Sequence, residues 1–370
     1  MQTSPPAPAQ MTLAGAIDKL GTIDFGVRTQ ASKAVRRAPA AQAVPALVQA
    51  VTKHKDGYVR FRALVLLAGF GDPQVHGVMV PAIDDQNDRL RQVAYDYFEK
   101  NPDPTLTPKL LAKLETEQSE FVRPALIHAL AALGANDQKV QQVLLREVMR
   151  GQDFFRSEVI DALGDHKAVY AQQALLAIAK QEGPLQDDAV IALGQIGDKK
   201  IVDVFAPLQR TAKRERQPAL AAAICLLGVN CDSHERFLYT TIKFAIANPG
   251  FQDLTRAAAR GLSHLAAAGR TIDWDAIIAL GATSVDPVRS PMALGFASAA
   301  VEAPDQALAA IQRSADQKAT LLLLRDGFDM LEEDFAEEQF YVAIRKLYWK
   351  APEGDASRKA AEALITTLEF

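Results

Sequence analysis

Cysteine is nearly absent: 370 residues carry only Cys225 and Cys231. That is too few for a disulfide-built scaffold or a Cys-based zinc site, and it points to a reducing cytoplasm. A bridge between the two is sterically conceivable. The helical stretch around Cys225 reads instead as wanting a small apolar side chain there. Long apolar runs are also missing. Asp18 and Lys19 interrupt the first one, and none reaches the ~20 residues that cross a bilayer. Neither charge sign dominates: 41 Lys and Arg face 45 Asp and Glu, a net charge of −4. This disfavours a strongly basic nucleic-acid binder or a polybasic membrane protein. Apolar residues make up 49% of the chain, ample for a buried core.

Catalytic signatures are missing as well. The six histidines, His54, His76, His128, His166, His234 and His264, never fall four residues apart, so no one helix offers a zinc pair. Gly197-Asp-Lys-Lys200 reads as an inter-helix turn, not a phosphate loop. Ser263-His264 lacks the glycines of a nucleophile elbow. Trp274 and Trp349 read as core residues. No enzyme, metal or cofactor is expected.

What is present is a repeat. A short phrase recurs, with a turn residue, two spacers, an apolar residue and usually Arg. It reads Asp24-Phe-Gly-Val27-Arg28, Asp56-Gly-Tyr-Val59-Arg60, Asn87-Asp-Arg-Leu90-Arg91, Ser119-Glu-Phe-Val122-Arg123 and Gln152-Asp-Phe-Phe155-Arg156. Weaker copies centre on Gln186, Gln217 and Thr255, and a good one returns at Asp286-Pro-Val288-Arg289. Asp24, Asp56, Asn87 and Ser119 are expected to cap helix starts. Pro184 and Pro287 are expected at first helical positions. Apolar residues then run at helical spacing (Val59, Ala63, Leu66, Leu67, Phe70), and Gly71, Gly134, Gly164, Gly197 and Gly228 are expected to end the runs. Between one stop and the next phrase lies a second amphipathic stretch, such as 43–51, 106–114, 140–148 or 168–179. Each unit is therefore two antiparallel helices, and one pair alone cannot bury its apolar stripe.

Asp-x-x-Val-Arg-x-x-Ala followed by Ala-Leu-Gly-x-x-Gly-Asp, carried best by 24–31, 56–63 and 192–198, resembles the short HEAT-like repeats first noticed in phycobilisome lyases. The likeness covers roughly residues 12–324. It implies an all-α fold, an α-solenoid or superhelix of about ten stacked two-helix repeats. It is not specific for function, since scaffolds, lyase subunits and a DNA-repair glycosylase class share it. In the family the phrase Arg commonly joins neighbouring repeats; Gln186, Gln217 and Thr255 replace it here and suggest looser packing in the middle. A related subset, as in deoxyhypusine hydroxylase, binds two irons through several His-Glu pairs. The one pair here, His234-Glu235, reads as a surface helix start.

The expected organisation is a disordered tail at 1–10, the repeat array at 11–326, and an acidic link with two capping helices at 327–370. In the cap, Phe340, Ile344 and Leu347 share a stripe. Link carboxylates at 332–334 and 337–338 read as solvated, as does the basic run Arg210–Arg216. Taking the apolar phrase residue as pointing inward, offsets of two and six mark the opposite, groove-facing side. These offsets single out Phe61, Val65, Gln92, Asp96, His128, Ser157, Asp161, Asp187, Ile191, Arg256 and Arg260 as a candidate concave binding face. Leu294 and Ile191 read as apolar islands. Phe61 and Val65 are open between such islands and packing against adjacent repeats. The leading expectation is a non-catalytic scaffold binding a protein or extended peptide. A nucleic-acid (repair-like) protein and a lyase-type chromophore-handling subunit are the alternatives. Partner identity and oligomeric state are not legible.

Overall fold

The computed structural model describes residues 11–248, 250–331 and 333–370. The expected tail at 1–10 and Glu332 of the acidic link lie outside them. Among the described residues there are 22 α-helices and no strand, an all-α solenoid of paired helices. Two compact units divide the described residues: those up to Ala94 together with 368–370, and those from Tyr95 to Thr367.

In the first unit, Asp24 and Asp56 cap as expected. Asp24 Oδ1 accepts from the Val27 amide at 2.9 Å and Asp56 Oδ1 from the Tyr58 amide at 2.8 Å. Asn87 does the same for Arg89 at 3.1 Å. Helix Gly57–Ala68 is buried almost all round, which corrects the open reading of Phe61 and Val65: both are core residues, 4% and 1% exposed. The groove rule assumes one open face, and a helix this apolar has none.

In the second unit the helices that follow each phrase pack in succession on one another. They are Arg123–Gly134, Asp153–Asp165, Gln186–Ile196, Gln217–Leu226, Gln252–Ala267 and Arg289–Glu302, and Gln317–Leu331, which follows no phrase, continues the series. Their partner helices lie alongside, for example Thr107–Thr116, Gln138–Glu147 and Gln172–Ala179. Small residues set the contact between successive phrase helices. A Cβ on Gly164 would stand 2.8 Å from Ala192 Cα, and one on Gly194 2.8 Å from Ala223 Cα. Gly261 meets Ala222, and Gly327 abuts the Ala293 carbonyl.

Several local expectations change. Gly71, Gly197 and Gly228 take positive φ and end their runs, but Gly164 lies inside its helix and Gly134 is the last helical residue of its own. At Gly164 close approach, not a turn, requires the missing Cβ. Pro184 and Pro287 precede their helices by two residues, which start at Gln186 and Arg289. Before Arg123–Gly134 the Ser119 carbonyl accepts the Val122 and Arg123 amides, each at 3.1 Å, and Val122 is the N-cap.

The phrase Arg has a consistent task. Arg156 Nε donates to the Val148 carbonyl at 3.0 Å, Arg123 to Leu114 at 3.3 Å and Arg289 to Gly281 at 3.2 Å. Each accepting carbonyl lies at the C-terminal end of the preceding helix, where a cation or donor is favourable. Gln186 and Gln217 make the same bond, to Ala179 at 2.9 Å and Ala212 at 3.1 Å. The expectation of looser packing at these copies is therefore corrected: the amide replaces the guanidinium as donor. Arg289 also reaches Asp326 of the next repeat at 2.7 Å.

Cys225 and Cys231 are joined by a disulfide, contrary to the reading of Cys225 as a plain small core residue. Gly228 and Asn230, both at positive φ, turn the chain back so that the two Cα atoms stand 4.4 Å apart. The expectation of a reducing compartment rested on the scarcity of cysteine, and the pairing of the two that are present speaks against it. Trp274 is buried against Phe296, as expected, but Trp349 is 74% exposed beside Tyr348 and Arg358. Helix Asp334–Lys350 buries Phe335, Phe340 and Ile344 and leaves Leu347 half-buried. Glu338 is buried against Arg345 at 3.5 Å, not solvated. Glu235 is buried too, 2.5 Å from Arg270 Nε, which corrects its assignment to the surface.

Gly194→Val is expected to lower the unfolding free energy by about 1–3 kcal/mol, because the Ala223 backbone cannot yield to the added carbons. Gly77→Ala, at an open helical site, is expected to stabilise by about 0.5–1 kcal/mol. Urea denaturation of both variants measures this. In the same assay Arg156→Leu is expected to cost about 1 kcal/mol and Arg156→Gln clearly less.

Candidate functional site

The exposed ridge of the second unit's phrase helices gathers ionisable side chains. Helix Asp88–Lys100 supplies Asp96, Glu99 and Lys100, and Arg123–Gly134 supplies His128. Asp153–Asp165 supplies Glu158, Asp161 and Asp165, and is followed directly by its C-cap, His166. Gln186–Ile196 adds Asp188, Gln252–Ala267 adds Arg260 and His264, and Arg289–Glu302 ends on Glu302. Glu333 arrives from the N-cap of Asp334–Lys350.

At one end Glu99 Oε1 lies 3.2 Å from His166 Nε2 and 3.6 Å from His128 Nδ1, with Lys100 Nζ at 3.2 Å. Burial alone would raise the Glu99 pKa, but the imidazoles of His128 and His166 outweigh it and hold the carboxyl far below the usual range. Burial opposes the charged form of His128, and Glu99 more than offsets this, so its pKa is raised. At the other end Arg260 bridges two repeats. Its guanidinium donates to Asp161 at 3.0 Å and pairs with Asp188, which also accepts from Ser157 Oγ at 2.7 Å. Burial, then the positive charge of Arg260, pushes His264 down to about 4.

Negative charge is in excess between these ends. Burial raises Asp161 to about 7 against the pull of Arg260, with Asp188, Asp165 and Glu158 adding repulsion. Burial and the charge of Asp165 likewise raise Glu302 to about 7. Asp96 is raised well above its ordinary value by burial, then by Glu333 and Glu99. Burial also raises Glu158 and Glu333. Glu302 and Glu333 touch water, yet protein surrounds them closely enough to weaken its screening.

Of the residues expected on a binding face, Asp96, His128, Asp161 and Arg260 come together here. Ser157 reaches the cluster through Asp188, and Asp187 is drawn aside by Arg216 at 3.1 Å. Arg256 stands exposed and paired with Asp253. Gln92 is half-buried in the first unit, and Phe61 and Val65 are core there. Ile191, expected as an apolar island, is buried at 2% exposure, packed among successive phrase helices, whereas Leu294 is exposed at 40%. Glu99, Asp165, His166, Asp188, His264, Glu302 and Glu333 were not singled out as a face. Carrying the offset of six one further helical turn reaches Glu99, Asp165 and His264; nothing local in the sequence marks Glu333. The basic run 210–216 is largely satisfied internally: Lys213 pairs with Glu182 at 3.1 Å, and Arg214 lies over the Phe244 ring.

Residues 14–99 match the sequence model of the HEAT-repeat family. HEAT repeats are thus shown for residues 14–99. No curated protein matches it. Among solved structures, the chain is similar to the complex of CpcE and CpcF of phycocyanin lyase from Nostoc sp. PCC7120, at 17% identity and a TM-score of 0.28, covering 89% of this chain and 100% of that one. It is also similar to Kap95p in its complex with RanGDP, at 12% identity and a TM-score of 0.42, covering 96% of this chain. An engineered protein matches at 16% identity and a TM-score of 0.28, covering 97% of this chain and 99% of the other. The chain spans 60% of the length of the Kap95p chain. These likenesses concern the fold alone. Among the described residues no helix is long and apolar enough to cross a membrane.

A carboxyl group with a raised folded-state pKa contributes its stability below the unfolded value and loses it as pH rises through the folded one. For Asp161 and Glu302 that window runs from about 4 up to about 7. The melting temperature of the wild type is therefore expected to fall between pH 5 and pH 8 by more than that of Asp161→Asn/Glu302→Gln, as read by circular dichroism at each pH.

Proposed function

We propose that this protein is a non-catalytic scaffold whose second unit takes a basic, extended protein segment along its acidic ridge. The observation that carries the reading is the row of carboxylates that successive helices bring to one ridge, Asp96, Glu99, Asp161, Asp188 and Glu302 among them, a crowding that pushes Asp161 and Glu302 up. A Lys or Arg placed beside them relieves mutual repulsion that Arg260 only partly offsets. An extended segment suits a row of carboxylates contributed by successive repeats. A duplex suits it poorly, because its phosphates meet like charge and the basic run at 210–216 is engaged with Glu182, Asp187 and aromatic rings.

Fluorescence anisotropy with the full chain tests this, using a labelled Lys/Arg-rich peptide and a Glu-rich counterpart of equal length. The basic peptide is expected to bind, more weakly as salt rises, and the acidic one not to bind. Asp161→Asn/Glu302→Gln is expected to weaken binding about tenfold, equivalent to about 1.4 kcal/mol. Equal affinity of wild type and double variant for the basic peptide overturns the reading.

A further inference from the structure

Three side chains from three consecutive repeats converge at the end of this ridge: Glu99, His128 and His166 each offer one donor atom, and these atoms all lie within 4.8 Å of one another. We propose that they form a binding site for one divalent transition-metal ion of the Zn2+ class, which ties the three repeats together. The inference stands apart from the peptide-binding reading and rests on the donor geometry.

Four-coordinate zinc holds nitrogen and oxygen ligands at about 2.0–2.1 Å, which places neighbouring donors about 3.3 Å apart. The Glu99 oxygen stands 3.2 Å from the His166 nitrogen and 3.6 Å from the His128 nitrogen. Those two spacings lie close to the tetrahedral value, and the third, between the two imidazoles, is within 4.8 Å. The donor set also suits the ion: two imidazoles and one carboxylate favour zinc, cobalt, nickel or iron over magnesium and calcium, which take oxygen ligands. The supports are firm. Glu99 and His128 project from helices Asp88–Lys100 and Arg123–Gly134, and His166 is fixed as the C-cap of Asp153–Asp165. All three side chains are only partly open to water, at 13%, 20% and 23% exposure, so an ion enters without unfolding the unit. The surroundings favour a cation as well. Asp96, Glu158, Asp165 and Glu333 act on His128 or Glu99 through their charge, against Lys100. Three protein ligands leave the fourth tetrahedral position to water.

Among the described residues the other trio of close donors, Cys225, Cys231 and Glu235, offers nothing comparable, because its sulfurs are bonded to each other and Glu235 is held by Arg270.

The test uses the full chain, stripped with chelator and titrated with Co2+ and then Zn2+. Wild type is expected to bind about one ion per chain, to show visible ligand-field absorption with Co2+, and to lose that absorption when Zn2+ displaces it. Glu99→Gln and His166→Gln, near in shape to the originals and checked for unchanged helicity, are expected to weaken binding roughly 100-fold or more. His234→Gln is expected to bind as wild type does. A readout on unaltered protein accompanies these: Zn2+ is expected to protect His128 and His166, but not His76, from diethyl pyrocarbonate, mapped by mass spectrometry. Failure of folded wild type to take up either ion overturns the proposal. So does equal uptake by the Glu99 and His166 variants, or modification of His128 and His166 undiminished by Zn2+.

Discussion

The close contact between successive phrase helices is the constraint on which the second unit depends. Wherever Gly164, Gly194, Gly261 and Gly327 stand, the neighbouring helix takes the space a side chain would need. Backbones brought that close draw their exposed ridges together, and the residues on those ridges must then share a small volume. Ionisable groups crowded in this way lose water without each gaining a partner, which is why so many of these carboxylates resist ionisation. Packing of the smallest residues therefore sets the electrostatics of the largest ones.

A second regularity concerns the far side of each pair. The phrase donor meets the carbonyls that the preceding helix leaves open, so one side chain closes one helix while starting another. Because the acceptor is a neutral carbonyl, the donor's charge is secondary, and Gln186 and Gln217 serve where Arg serves elsewhere. The bridge to the next repeat is a separate property of Arg, seen where Asp85 or Asp326 stands opposite.

Much of the fold was legible in the amino-acid order. The phrase period, the capping aspartates and the apolar stripes each follow from local physics, and they place the helix pairs along most of the chain. The face was legible only in part. Polar offsets such as Asp96, His128, Asp161 and Arg260 were recoverable because a polar residue at a ridge position has nowhere else to go. Apolar offsets such as Phe61, Val65 and Ile191 were not, since an apolar residue there is equally suited to a neighbouring helix, and a neighbour is present. The approach of His128 and His166 to Glu99 is invisible to any spacing rule confined to one helix. The Cys225–Cys231 link depends on backbone angles at Gly228 and Asn230 that composition does not disclose.

Arrays of stacked pairs ordinarily unfold as a line of weakly coupled segments, each sensing only the pair before and the pair after. Arg260 breaks that rule by holding Asp161 and Asp188 from earlier repeats, and Glu333 breaks it again by acting on Asp96 across almost the whole second unit. Loosening one end of that unit thus changes the energy of groups near its other end. Arg260 thereby couples helices that are not neighbours in the stack, so the second unit is more than a sum of nearest-neighbour pairs.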